Sequence, residues 1–385
     1  MTEPDCFDLA IVGGSFAGLA AARTAAMRGL KVVVLEAKPD SGHRVATTGI
    51  LVKEAAEEID IPHDLTRRVH GVRLYAPNLE HIDLAAPGYY FLTTDTARLL
   101  RWMAAEAERA GAAIRYGTRF SGAVRQDGGF RFEGAPVFAR YILGADGGRS
   151  AVARHFRLGQ STRYLTGLEI EYESLPLAAP LLHCFIDSRI APGYIAWVSP
   201  GPCVTQVGLA VGHGRKPDLA AFQARTAGLF SYDRADAVER RAGRIPAGGL
   251  VSPWFADGVM LVGDAAGQVS PATGGGIKLA FQLGRRAAHA IADYMLALGP
   301  PPEVVMAAEL PRFGLKRALR FGLDLAPPNA LVNLAIGTWL MRRIAQQIYF
   351  HRRNPGGASW QDFEAGIARL SRLEQARAGE SDVEE

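Results

Sequence analysis

The sequence predicts an α/β protein: a Rossmann-like unit interrupted by a mostly antiparallel β-sheet unit and followed by a helical C-terminal region. Three observations carry that expectation. The chain opens with a short apolar run, a glycine-rich turn, an alanine-rich helical stretch and a second β-branched run, the order of a β-α-β unit. Short strand-like runs alternate through the middle of the chain, and from Ile277 onward the apolar spacing becomes helical.

Phe7 to Val12 predicts the first strand, Ser15 to Arg28 the first helix and Lys31 to Leu35 the second strand. Glu54 to Ile59 predicts a short helix, and Val72 to Tyr75 and His81 to Leu84 flank Pro77 and Asn78 as a hairpin. Asp95 to Ala110 has helical spacing that Gly111 ends, and short strands follow to Tyr141 before a Gly-rich turn at residues 142–150. Alternating runs at Leu168 to Tyr172, His183 to Ile186, Ile195 to Val198 and Thr205 to Val211 predict the antiparallel sheet. Val259 to Val262 returns to a buried strand, a long glycine-containing turn follows, and Ile277 to Leu298 predicts a strong helix. These elements divide the chain into a discontinuous first domain (1–75, 95–160 and 243–300), an inserted sheet domain (76–94 and 161–242), a helical region (301–377) and an acidic tail (378–385).

With 48% hydrophobic and 21% charged residues, the 385-residue chain has the composition of a folded protein, so disorder is excluded as its main theme. Cys6, Cys184 and Cys203 lie far apart without a CxxC pair, which predicts no metal site, no iron–sulfur cluster and no disulfide framework. The acidic start MTEPDC lacks the basic opening of a secretory signal. No apolar stretch reaches the roughly 20 residues of a membrane span, since the longest, Ala330 to Leu340, stops at Arg342 and Arg343. A cytoplasmic protein is expected.

Charge is unevenly placed. Residues 312–353 hold eight Lys or Arg against the single Asp324, a local excess of +7 in a chain of net charge +4. This reads first as a solvated helix face of an Arg-rich protein, with peripheral contact with an anionic membrane surface as the alternative, since Trp339, Tyr349 and Phe350 lie in the same segment. No motif accompanies the charge that would point to nucleic acid.

The first chemical signal is Gly13-Gly14-Ser15-Phe16-Ala17-Gly18 between strand and helix, with Glu36 closing the next strand eighteen residues after Gly18. This is the dinucleotide fingerprint in its required context. Gly13 permits the tight turn, Gly18 lets helix and strand pack closely, and the helix amino end faces a pyrophosphate. Ser15 stands where the second glycine usually sits. The Glu36 carboxylate can accept bonds from both ribose hydroxyls and repels a phosphorylated ribose, so the nucleotide is FAD or NAD rather than NADP.

Two later motifs bring a family into view. Gly144-Ala145-Asp146-Gly147-Gly148-Arg149-Ser150 resembles the "GADG" turn of flavoproteins related to para-hydroxybenzoate hydroxylase, and Gly263-Asp264-Ala265-Ala266-Gly267 resembles their "GD" motif. The resemblance implies an FAD-binding Rossmann-like domain of that type, with Asp264 on the ribityl or ribose hydroxyls and Asp146 near the pyrophosphate. Pro271-Ala272-Thr273-Gly274-Gly275-Gly276-Ile277 is more specific and resembles the signature of the geranylgeranyl reductase family, which reduces isolated double bonds of isoprenoid chains. Physically, Gly274, Gly275 and Gly276 clear side chains from where a flat isoalloxazine would lie, and the helix from Ile277 directs its positive end there.

The sequence also departs from that family. Its "YxWxFP" pattern is met by Gly193-Tyr194-Ile195-Ala196-Trp197-Val198-Ser199-Pro200, in which Tyr194 comes one residue early and Ser199 replaces Phe; the Trp-Pro end is also similar to the "WxWxIP" of flavin halogenases. A one-residue offset in a strand turns Tyr194 to the opposite face unless a bulge restores it. The family's Arg-Cys pair is represented only by Arg44, read as a phosphate or adenosine contact, and its Asp-Arg helix start by Asp95-Thr96 with Arg98 two positions on.

The expected function is therefore FAD-dependent reduction of a prenyl double bond, with Trp197 as pocket wall and Tyr194 or ordered water as proton donor. The lipophilic substrate lies in the sheet domain, and NAD(P)H or a ferredoxin-type carrier binds transiently as electron donor. Two alternatives stay open: a monooxygenase or halogenase using the same flavin, and an electron-transfer partner without turnover of its own. The sequence leaves oligomeric state undetermined.

Overall fold

The computed structural model describes residues 3–350. An eight-stranded sheet carries a parallel core in the order Val259–Leu261, Val137–Gly144, Asp5–Val12, Val32–Leu35 and Ala113–Arg115. Helices cover one face, and Phe120, Phe132, Val152 and Val251 pack on the other, so the strands are buried on both sides and read as unbroken apolar runs; all of Val32–Leu35 is buried. Phe16–Met27, Thr96–Arg109 and Ile277–Met295 supply that cover. Asp95 caps the second of these by accepting from the Arg98 backbone, as expected for a helix starting there. The first helix is alanine-rich because its neighbours come close: a Cβ on Gly284 would lie 2.5 Å from the carbonyl oxygen of Ala17, and one on Gly18 would lie 1.9 Å from that of Gly13. The second contact is the close helix–strand packing expected of Gly18.

The second sheet has seven strands in the order Asp236–Pro246, Tyr164–Glu173, Thr205–Val211, Ala196–Pro200, Leu182–Phe185, Gly71–Tyr75 and His81–Ala85. All its pairings are antiparallel except that of Leu182–Phe185 with Gly71–Tyr75. The expected hairpin is therefore present, but its first strand belongs to the second sheet. A domain boundary between residues 75 and 76 divides two strands that pair with each other. Phe91–Thr94 likewise pairs with Ile50–Val52 and Thr66–Val69 in a small third sheet. The edge strand Asp236–Pro246 was not expected, because its charged, largely exposed residues lack an apolar alternation.

After Pro302 the described chain is helical: Pro302–Glu309, Gly314–Asp324, Asn329–Ala335 and Trp339–Phe350. The last two pack Val332, Ile336, Ala345 and Phe350 against Leu74, Leu182 and Cys184 of the second sheet. The expected continuation to residue 377 and the acidic tail 378–385 lie outside the described residues. Among the described residues, no helix is long and apolar enough to cross a membrane and no side-chain group could hold a metal ion. All three cysteines are free.

A cavity lined by both sheets as candidate active site

Three glycine turns, the face of the second sheet and the C-terminal helices line one cavity of about 1470 Å³. Gly13, Gly14, Ser15, Phe16 and Ala17 line its first end. Gly13 has φ of +105°, and Ser15 takes the extended N-cap position without a side-chain bond to the helix. Backbone N–H groups at the helix start are thus left to the cavity, where the helix dipole favours an anion. Glu36 is buried and both its oxygens are held: Oε2 accepts from the Gly14 N–H at 2.6 Å, Oε1 from the Lys38 N–H at 2.8 Å. Each oxygen keeps a second lone pair.

Asp146 lines the same cavity, but its Oδ2 accepts from the N–H groups of Ala151 at 2.6 Å and Val152 at 3.1 Å. It thereby ties the turn to the short helix Ala151–His155, while Oδ1 is buried without a partner. Burial pushes its carboxyl pKa up. Asp264 differs. It follows Gly263, whose φ is +64°, in a turn fixed by the 2.7 Å bond from the Gly263 N–H to Gln268 Oε1. Its carboxylate faces the cavity beside Gly276 and accepts no hydrogen bond from the described residues, and burial pushes its pKa up to about 6.

Gly274, Gly275, Gly276 and Ile277 form the next wall. Gly274 has φ of +62°, and a Cβ there would lie 2.7 Å from the Tyr194 hydroxyl. That hydroxyl donates to the carbonyl oxygen of Thr273. Tyr194 precedes the strand Ala196–Pro200 in a turn opened by Gly193, φ +81°, so the face rule for strands does not govern it and it lines the cavity after all. Its proton is engaged by Thr273, and burial raises its pKa. Arg44, with φ of +45°, is exposed beside Val45 and Ala46, which line the cavity.

The second sheet contributes one transverse row. Arg241 pairs with Glu169, Glu169 with Gly208, Gly208 with Trp197, Trp197 with Cys184 and Cys184 with Leu74. A Cβ on Gly208 would lie 2.6 Å from the Trp197 ring, so the indole lies across the strand that carries this glycine. Its Nε1–H donates to Glu169 Oε2 at 2.9 Å, and the Thr48 hydroxyl donates to the same oxygen at 2.7 Å. Beside them Arg241 forms ion pairs with Glu171 at 2.8 Å and Glu239 at 2.7 Å. Cys184 is buried, and burial pushes its thiol pKa up to about 11. A cysteine thus enters the cavity, on a different element from the family's Arg-Cys loop, and it stays a thiol at neutral pH. Beyond this row Phe91, Leu182, Ile186, Met341 and Ile348 add apolar lining.

Sequence reasoning missed Thr48, Glu169, Cys184 and Arg241. The available signal was Glu169 and Glu171 at alternate positions of a strand whose Ile170 and Tyr172 enter a core. Alternation shows that the glutamates share a face but not that another part of the chain covers it.

The fold and cavity meet what known proteins display. A profile of the FAD binding domain matches residues 7–295, so the class is that of an FAD-dependent oxidoreductase. Digeranylgeranylglycerophospholipid reductase of Methanothrix thermoacetophila is 31% identical over 331 residues, which span 78% of this chain and 82% of that protein. That of Methanosarcina acetivorans is 29% identical over 74% of this chain and 75% of its own length. A geranylgeranyl bacteriochlorophyll reductase-like protein of Thermoplasma acidophilum superposes with a TM-score of 0.78 at 22% identity, over 90% of this chain and 97% of that one. A flavin-dependent brominase shares the fold at TM-score 0.64 and 15% identity, over 97% and 100% of the two chains. The chain belongs to the geranylgeranyl reductase family of FAD-dependent oxidoreductases.

Proposed function

We propose that this protein uses FAD to reduce isolated carbon–carbon double bonds in the isoprenoid chain of a lipid. The observation that carries the reading is one cavity joining a dinucleotide-type glycine turn to a tryptophan-walled apolar end. Its volume of about 1470 Å³ exceeds the roughly 300–1,000 Å³ of a single small-molecule site, leaving room for a dinucleotide and a chain together.

The residues present fit FAD. Asp264 is an enclosed carboxylate without a donor, which a ribityl or ribose hydroxyl would supply. The Glu36 lone pairs accept the adenosine ribose hydroxyls. The amino end of Phe16–Met27 takes the pyrophosphate, and Asp146 holds the neighbouring turn in shape. Residues Gly274 to Ile277 back the isoalloxazine, with the amino end of Ile277–Met295 favouring negative charge there. FAD, once reduced, supplies the hydride. Trp197 and the apolar lining orient the chain and exclude water, while Tyr194 ties the glycine turn to the substrate wall.

The eight-stranded sheet and its helices are assigned to cofactor binding and the seven-stranded sheet to substrate. The C-terminal helices contact the membrane: Leu325, Leu331, Leu334, Trp339 and Leu340 are exposed among Arg317, Arg342 and Arg343. Leu323, Ile344 and Ile348 both reach this surface and line the cavity, which lets a lipid enter from the bilayer side. NAD(P)H or a ferredoxin-type carrier recharges the flavin by transient binding.

The test is product mass after chemically reducing the FAD-loaded protein and offering geranylgeranyl-chain lipids, anaerobically and in air. Gain of hydrogen pairs without oxygen is expected. Oxygen incorporation seen only in air, or an unchanged lipid, overturns the reading.

A further inference from the structure

The helix Gly314–Asp324 buries a cation and exposes its apolar residues. Leu319, Phe321 and Leu323 are exposed, whereas Arg320 is only 4% exposed, the reverse of a helix held down by an apolar face. The Arg320 guanidinium donates through Nη2 to the carbonyl oxygen of Gly193 and pairs with Asp324 Oδ1 at 3.0 Å. Asp324 Oδ2 in turn accepts from Arg163 at 2.9 Å. The Arg320 Nε and Nη1 atoms are buried without hydrogen-bond partners. A buried guanidinium with unsatisfied N–H groups costs stability, and an apolar side chain of similar length would cost less there. Holding the helix in place does not by itself account for this residue.

What the Gly193 turn carries does account for it. A Cβ on Gly193 would lie 3.4 Å from Arg320 Nη2, and one on Gly212 would lie 3.3 Å from Asp324 Oδ1, so two glycines let the ion pair sit directly on the backbone of this turn. Gly193 has φ of +81°. The turn is closed by the Tyr194 N–H donating to the Ala191 carbonyl at 3.0 Å and the Gly212 N–H to that of Pro192 at 2.8 Å. Tyr194 comes next in the chain, and its hydroxyl donates to the Thr273 carbonyl oxygen, 2.7 Å from where a Cβ on Gly274 would lie. An unbroken run of contacts thus joins Asp324 and Arg320 to the glycine turn assigned to the isoalloxazine.

We propose that Arg320 is a positioning residue of the reaction: it fixes the Gly193 carbonyl, and through that turn sets the Tyr194 hydroxyl on Thr273 and the spacing between flavin turn and substrate wall. This rests on the alkene-reductase reading above. Arg320 acts through Tyr194 rather than on the substrate. Without its donor the turn is released, Tyr194 loses its fixed approach to Thr273 and Gly274, and the flavin and the double bond no longer meet at one distance. A planar guanidinium suits the task, because it sets the carbonyl and the Asp324 carboxylate in a fixed relation that an ammonium on a flexible stem reproduces less well.

The test is a cycle of wild type, Arg320→Met, Tyr194→Phe and the double variant, each loaded with FAD. R320M should bind FAD within a few-fold of wild type, yet its bound flavin should differ in visible circular dichroism, changed in the same sense as in Y194F. In chemically reduced protein given geranylgeranyl-chain lipid vesicles, single-turnover reoxidation should be roughly 10- to 100-fold slower in R320M. The double variant should be no slower than the slower single variant, because both substitutions break one path. R320K, which keeps a donor for Gly193 but not the planar fork, should fall between R320M and wild type, and it carries the cycle should R320M fail to fold. A wild-type flavin spectrum or rate in R320M, or effects that multiply independently in the double variant, overturns the proposal. Wild type that leaves the lipid unreduced overturns the alkene-reductase reading instead, and the flavin spectra then still decide whether Arg320 acts through Tyr194.

Discussion

Glu169 and Trp197 stand on strands separated by the one that carries Gly208, and a 2.9 Å hydrogen bond from indole to carboxyl crosses that strand. Glycine makes the bond reachable, since a Cβ at residue 208 would meet the ring at 2.6 Å. Trp197 is thereby a fixed wall rather than a mobile aromatic.

Trp197→Ala is expected to raise the KM for lipid substrate while the purified protein keeps its full complement of FAD. Flavin absorbance and steady-state kinetics on the same preparation separate the two. Loss of flavin would place Trp197 on the cofactor side instead. Gly208→Ala should reproduce part of the KM effect by displacing the ring, with a stability loss of ~1–3 kcal/mol from overpacking, read from a urea midpoint.

Asp264→Ala should weaken FAD binding by roughly 10- to 100-fold, the loss expected for a hydrogen bond to a charged group. Titrating the flavin-free protein with FAD while following flavin fluorescence checks it. An unchanged affinity would remove Asp264 from the cofactor contacts.

The same residue makes the flavin-free protein pH-sensitive. Its folded pKa of about 6 lies above the ordinary 3.8, so the folded state binds the proton more tightly than the unfolded state. The stability this confers is complete below about pH 4 and is lost as pH rises through about 6. Melting temperature measured from pH 4 to 7 should show that component in wild type and not in Asp264→Asn; identical slopes would refute it.

Gly284→Ala acts away from the cavity lining, where its Cβ would lie 2.5 Å from the Ala17 carbonyl. The crossing of the helices Phe16–Met27 and Ile277–Met295 must widen, and ~1–3 kcal/mol of stability should be lost. A urea melt measures this.

A Leu334→Glu, Trp339→Glu double variant changes side chains that are 78% and 69% exposed. Its stability should stay within ~0.5 kcal/mol of wild type per substitution, yet sedimentation with anionic vesicles should fall several-fold. Wild-type binding should weaken as salt is raised, because screening shortens the reach of the flanking arginines. Equal sedimentation of both proteins would remove this face from the membrane.

Much of the cofactor half was legible because its requirements are local. Gly13, Gly18 and Gly263 answer backbone geometry and close approach within a few residues, and Val32 to Leu35 declares a buried parallel strand by composition alone. Tyr194 and Arg44 show the limit of that legibility. Their side-chain directions depend on positive φ at Gly193 and at Arg44 itself, each a local turn that motif spacing does not encode.

The glycine turns, the Glu36 and Asp264 carboxylates and the family membership were thus determined by the sequence itself, since short stretches of chain specify them through backbone sterics and chemistry. Only the tertiary structure decided that the polar face of Tyr164–Glu173 is a cavity wall and not solvent surface. It also placed the charged strand Asp236–Pro246 along its edge and brought Thr48 and Trp197 onto one oxygen of Glu169. Those contacts join residues far apart in the chain, and no local periodicity distinguishes a carboxylate facing water from one covered by a distant loop.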